Sequence, residues 1–162
     1  MPGDIVERKA PPAHYLVEID SFSLFDELGI EKYETRAFEV GGYKWKIKVY
    51  PDGVGEASGR FASIFLQHVA SDNPCERVKA SCTISLKSQV SDELHVTKAR
   101  CGRWFSASPM NKWGWTSFID LDSLKDPNKG YIVNGCVHLE IELSVHAVEE
   151  ENAVPSSISF SA

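Results

Sequence analysis

The chain has 162 residues, a net charge of −6 at neutral pH and a pI near 5.4, with 43% hydrophobic and 25% charged side chains. That length holds one domain with a sizeable core, and the acidic balance excludes the basic footprint that non-specific nucleic-acid binding requires. No apolar run approaches the ~20 residues of a membrane-spanning helix, and the start, "MPGDIVERKAPPAHY", lacks the apolar stretch of a signal peptide.

In chain order, residues 1–12 carry no periodicity and read as an extension. A strand follows in "HYLVEIDSF", then a short helix in "SLFDELG", with Ser23 as N-cap and Gly29 past its end. "TRAFEVG" is a further short strand. In "YKWKIKVY" the alternation is clean: Tyr43, Trp45, Ile47 and Val49 face one way, and Lys44, Lys46, Lys48 and Tyr50 the other. "RFASIFLQHV" is next. "RVKASCTISLK" turns Val78, Ala80, Cys82, Ile84 and Leu86 inward, with Ser81 among the outward residues. "HVTKARCGRWF" and "NKWGWTSFIDLDSL" come after it, the second running into a candidate helix at "LDSLKD". The strongest alternation is "VHLEIELSV", with Val137, Leu139, Ile141, Leu143 and Val145 on the buried side. Breakers separate these runs: "GG" at 41–42, "YPDGVGEASG" at 50–59, "SDNP" at 71–74, "SPMN" at 108–111 and "DPNKG" at 126–130. The tail from Glu149, acidic and then rich in serine, reads as a linker or frayed end. The fold expected is all-β, an antiparallel β-sandwich of seven or eight strands with one or two short helices. Its folded part is placed at 13–148, between an N-terminal extension (1–12) and a flexible tail (149–162).

Catalytic and metal chemistry find little support. Cys75, Cys82, Cys101 and Cys136 form no C-x-x-C pair and no zinc spacing, which suits reduced thiols in a cytoplasmic or nuclear protein. Cys136 and His138 are two apart on a strand, where side chains stand side by side without an enclosed cleft. No cofactor-binding motif is legible, and an enzyme is not expected. Lys44 and Lys46 read as a solvated face, with Glu140 and Glu142 as candidate cross-strand partners.

"GGYKWKIKVYPDG", "FASIFLQ" and "WGWTSFIDLDSLKDPNKGYIVNGCVHLEIEL", in that order, resemble the MATH (meprin and TRAF-C homology) domain over roughly residues 12 to 147. The flavour is that of the modules in ubiquitin-specific proteases and plant TRAF-like proteins. The resemblance implies an eight-stranded sandwich that binds short, extended peptides in a shallow groove on one sheet, recruiting partners in ubiquitin signalling or receptor adaptors. It places Trp113 in the groove, with Trp115 helping to build it, Phe65 on the floor and Lys48 as a basic groove residue. Ser81 falls near a position that is aromatic in the speckle-type POZ adaptor, and Arg103 or Trp104 falls near another. Phe118 and Ile119 look like core.

Two departures bear on the ligand. Ser81 makes the groove less aromatic. Lys112 stands where the deubiquitinase modules carry an aspartate, which inverts the charge. With Lys48, it points to an acidic or phosphorylated residue in the partner's short linear motif. Two rival readings remain: a self-associating scaffold, and a carbohydrate-binding sandwich whose tryptophans stack on sugars.

Overall fold

The computed structural model describes residues 4–7, 12–69, 76–106 and 112–150. The breakers expected at 71–74 and 108–111 lie outside the described residues, as does Cys75. Two antiparallel sheets face each other. In the first, β7 (Glu76–Leu86) lies between β8 (Val96–Ser106) and β10 (Val137–Glu150). The far side of β10 is shared by β2 (Ala13–Ile19), on its first half, and β1 (Asp4–Glu7), on its last four residues. In the second, β6 (Phe61–His68) lies between β5 (Tyr43–Tyr50) and β9 (Lys112–Asp120). The far side of β5 is likewise shared, by β3 (Tyr33–Glu34) and β4 (Phe38–Val40). Among the described residues, ten strands thus fill eight lanes, because one outer lane in each sheet is interrupted. Thr35 stitches the β3–β4 break: its backbone N–H donates to the Ile47 carbonyl, and its hydroxyl accepts the Ile47 N–H at 2.9 Å.

Local chemistry explains the connections. Gly41 and Gly42 both take positive φ, 64° and 85°. A two-residue hairpin between β4 and β5 demands that conformation. Helix α1 (Leu24–Leu28) ends at Gly29 in the left-handed region, as the sequence predicts. Helix α2 (Leu121–Lys125) is capped by Asp120, which accepts the Ser123 N–H at 2.9 Å. Hydrogen bonds from Ser123 hold the Asp120 carboxyl below its usual pKa.

Alternation builds the core. Val78, Ile84, Ile141 and Leu143 from the first sheet meet Trp45, Ile47 and Leu66 from the second, all essentially inaccessible. Phe118 and Ile119 are both buried although adjacent. A bulge opposite Ser63 breaks the two-residue period there, and the Ser63 hydroxyl donates to the Thr116 carbonyl at 2.6 Å. His68 is buried between Trp45 and Tyr43, and burial lowers its pKa, so the ring is neutral at physiological pH.

Two expectations change. The lysines of β5 do not meet Glu140 and Glu142, because β5 and β10 belong to different sheets. Lys46 approaches Glu34 instead, while Glu140 pairs with Lys87 at 3.0 Å. The chain does not fray at Glu149. A bulge after Val145 lets β10 continue to Glu150, and Glu149 is buried against the Arg77 guanidinium. Residues 4–7 lie in the expected N-terminal extension, yet they supply the strand beside that last stretch.

Candidate functional site

Strands β8 and β9 are the end strands of their respective sheets, on the same side of the sandwich, so each has a free edge among the described residues. On β9, Trp113 lies opposite Leu66 and Trp115 opposite Ile64. Directly opposed residues share a face, so both indoles point inward, into the gap where the two sheets part. Trp113 meets Phe105 edge-on, and its Nε1 donates to the Trp104 carbonyl at 3.2 Å, tying β9 to β8. Trp115 meets Phe118 edge-on at 5.7 Å.

Two arginines close this gap from β8. The Arg103 guanidinium stands 4.6 Å from the Trp113 ring centre, and that of Arg100 stands 5.6 Å from Trp115. Both are within cation–π range. Arg100 also donates to the Gly114 carbonyl at 3.3 Å. Its Nε is buried without a hydrogen-bond partner among the described residues. The hollow between these side chains, Ala80 and Cys82 is about 10 Å³. That is room for about one water. With guanidinium groups over both rings, neither tryptophan offers the open platform that sugar stacking needs.

Arg100 and Arg103 are three apart, an odd spacing that strict alternation would place on opposite faces. A bulge corrects it: Arg100 pairs with Cys82 and Arg103 with Ala80, so Cys101 and Gly102 together oppose Ser81. Gly102 takes φ 62°, and its N–H donates to the Ser81 hydroxyl at 2.9 Å. The same hydroxyl lies 2.6 Å from His146 Nε2. Ser81 therefore does not line the gap. Alternation along β7 turns it to the outer face of the first sheet, where it holds the bulge that aims the arginines. Ser81→Ala should cost about 1 kcal/mol in chemical unfolding, through the unpaired Gly102 N–H. An unchanged midpoint would remove that role.

The remaining candidates divide between two other faces. Trp104 pairs with Lys79 and faces outward on the first sheet, beneath the Arg77 guanidinium at 5.0 Å. Phe65, Lys48 and Lys112 lie on the outer face of the second sheet. Phe65 is buried against Tyr50, edge-on at 5.8 Å. The Lys112 ammonium lies over both rings and donates to the Tyr50 hydroxyl at 3.1 Å. Lys48 is buried and bonded to Glu34 at 3.1 Å. Thus Trp113, Trp115 and Arg103 come together inside the gap, and Phe65 and Lys112 come together behind β9. Lys48 is held by its own carboxylate, and Ser81 and Trp104 belong to the other sheet.

Sequence reasoning misses Arg100 and Tyr50. Gly102 is the available signal for Arg100, since an isolated glycine inside a strand pattern marks a bulge. Alternation puts Tyr50 on the outer face with the lysines, but it gives no sign that Phe65 and Lys112 cover the ring.

No thiol is activated among the described residues with a shifted pKa. Burial pushes Cys82 up to about 12, and burial, then Asp20, raises Cys136. A nucleophile needs the reverse. No helix among the described residues is long and apolar enough to cross a membrane.

The MATH domain sequence pattern matches residues 14–143. Ubiquitin C-terminal hydrolase 13 of Arabidopsis thaliana is 32% identical over 127 residues, 77% of this chain but 11% of the hydrolase. BTB/POZ and MATH domain-containing protein 6 of the same plant is 30% identical, over 88% of this chain and 34% of that protein. The chain therefore spans a minor part of these relatives' length. Among solved structures, TRAF5 of Notothenia coriiceps superposes with a TM-score of 0.66 at 19% identity, over 81% of this chain and 72% of that one, a likeness of fold.

Proposed function

The chain belongs to the MATH domain family of non-catalytic protein-interaction modules, and from that premise we propose that it binds a short, extended peptide of a partner protein along the free edge of β9. The observation that carries this reading is the coincidence of a strand edge with no neighbouring strand among the described residues, a tryptophan pair beneath it and an aromatic pair behind it. A peptide added as a further strand would draw affinity from main-chain hydrogen bonds and specificity from alternate side chains. Those side chains would meet Trp113 and Trp115 on one side, and Lys112 over Tyr50 and Phe65 on the other. The basic side chains here favour a motif with an acidic or phosphorylated residue. Affinity for so shallow a surface is expected to be on the order of micromolar. Relatives that join such a module to a ubiquitin hydrolase or a BTB/POZ domain support a role in substrate or adaptor recognition near ubiquitin signalling.

Peptide-display selection on the purified domain, with Trp113→Ala alongside, tests this. One motif should emerge from the unaltered domain and vanish in a folded Trp113→Ala. A motif that survives the substitution would place the binding surface elsewhere. A concentration-dependent mass with no selected motif would favour self-association.

A further inference from the structure

Strands β8 and β9 carry Lys98, Arg100, Arg103 and Lys112 against one carboxylate, Asp120, which caps α2. In a chain of net charge −6, this edge is locally basic. Its four cations are not equivalent. Lys112 already has the Tyr50 hydroxyl and two ring faces, and Lys48 nearby is buried on Glu34. Arg100 is different. It holds the Gly114 carbonyl by a 3.3 Å bond, and its buried Nε has no partner among the described residues. That bond is long for a charged donor. An unpaired buried N–H on a charged group is destabilising, and a carboxylate is the acceptor that relieves it best. The Gly114 carbonyl is itself on the free edge, since Arg100 reaches it from β8, the side away from β6.

Resting on the peptide-edge reading above, we infer that a glutamate or aspartate carboxylate of the bound peptide is read by Arg100 and Arg103, not by Lys112 or Lys48. The incoming strand's N–H takes over the Gly114 carbonyl and frees the Arg100 fork for the carboxylate. Arg103, brought to the same side by the Gly102 bulge, supplies the second guanidinium over Trp113. Coulombic complementarity selects the occupant, and the planar guanidinium fork matches a planar carboxylate with paired N–H donors. Arg100 is thus a displaceable placeholder, so binding and release of its internal bond are coupled.

The test is an array of synthetic random-context peptides that fix glutamate, glutamine, phosphoserine or serine at the central position. It is probed with the unaltered domain and with Arg100→Gln, Arg103→Gln, Lys112→Gln and Trp113→Ala, each checked for cooperative unfolding. The unaltered domain should prefer glutamate to glutamine about tenfold or more, the size expected when a charge-assisted pair is lost. Arg100→Gln should abolish that preference while keeping the apolar part of the motif, and Lys112→Gln should leave it in place. Preference retained in both arginine variants, lost in Lys112→Gln, or shown for phosphoserine alone would overturn the assignment. Binding that Trp113→Ala does not reduce would instead remove the edge reading itself, a different failure. Should Arg100→Gln unfold the domain, Arg100→Lys, which keeps the charge but not the fork, gives the same readout.

Discussion

Gly114→Ala is expected to lower stability by about 3 kcal/mol, a large overpacking cost for a single methyl. A Cβ at this position would stand 2.2 Å from the Ile64 carbonyl oxygen and 2.6 Å from the Phe65 Cα. Both are backbone atoms of the adjacent strand, in register opposite Gly114, so no rotamer change relieves the clash. The glycine between the two tryptophans is therefore fixed by the close approach of β9 to β6, and the indoles take their places because the strand can come that near. Urea unfolding monitored by tryptophan fluorescence measures the effect, with exposed Thr116→Ala as a neighbouring control. A loss within about 0.5 kcal/mol of that control would mean that the strands separate without penalty.

Glu34→Ala is expected to destabilise by about 2 kcal/mol, below the usual figure for breaking a buried pair. The reduction reflects Glu34 being a third exposed. The loss falls mainly on Lys48, whose buried ammonium is left without its hydrogen-bonded carboxylate, with Lys46 and Lys32 close by. Lys48→Met should be near neutral, since the methionine fills the same volume without a charge to satisfy. In the Lys48→Met background, Glu34→Ala should destabilise far less than alone. Equal losses in both backgrounds would show that the pair is not coupled. The pH dependence follows from the Lys48 hydrogen bond, the leading reason the Glu34 carboxyl lies below its ordinary value of 4.5. A carboxyl depressed on folding stabilises above its unfolded pKa and loses that contribution as pH falls through the folded one. Stability should therefore decline below about pH 4.5, less steeply in Glu34→Ala.

The sandwich was legible because its core strands obey a period of two: Val78 to Leu86 and Val137 to Val145 alternate without a break. Turn glycines, the α1 terminus and α2 were legible for the same local reasons. What local patterns do not encode is which strand lies beside which. The interrupted outer lanes, the partners of Lys46 and Glu140, and the return of residues 4–7 to β10 all depend on it. Bulges account for most of the remainder. One beside Gly102 sets Arg100 and Arg103 on a common side and moves Ser81 out of the gap. Another, after Val145, carries β10 past the expected end. At the candidate site, the sequence names Trp113, Trp115 and Arg103, and the structure brings these three together. The commitments of Lys48 to Glu34 and of Lys112 to Tyr50 were not legible, because a lysine in a sequence carries no sign of whether its charge already has a partner.

The two free edges have a consequence for the domain in concentrated solution. Exposed strand edges invite copies of the same chain to join them and propagate into aggregates. Here both end strands are interrupted by bulges and studded with Lys98, Arg100, Arg103 and Lys112, so a second molecule presenting the same edge meets broken register and like charge. Only a strand of opposite charge, too short to offer an edge of its own for further growth, escapes both obstacles. On the proposed peptide-edge reading, resistance to polymerisation and the choice of guest would be one property of the same side chains, and neutralising them for tighter apolar packing would forfeit both.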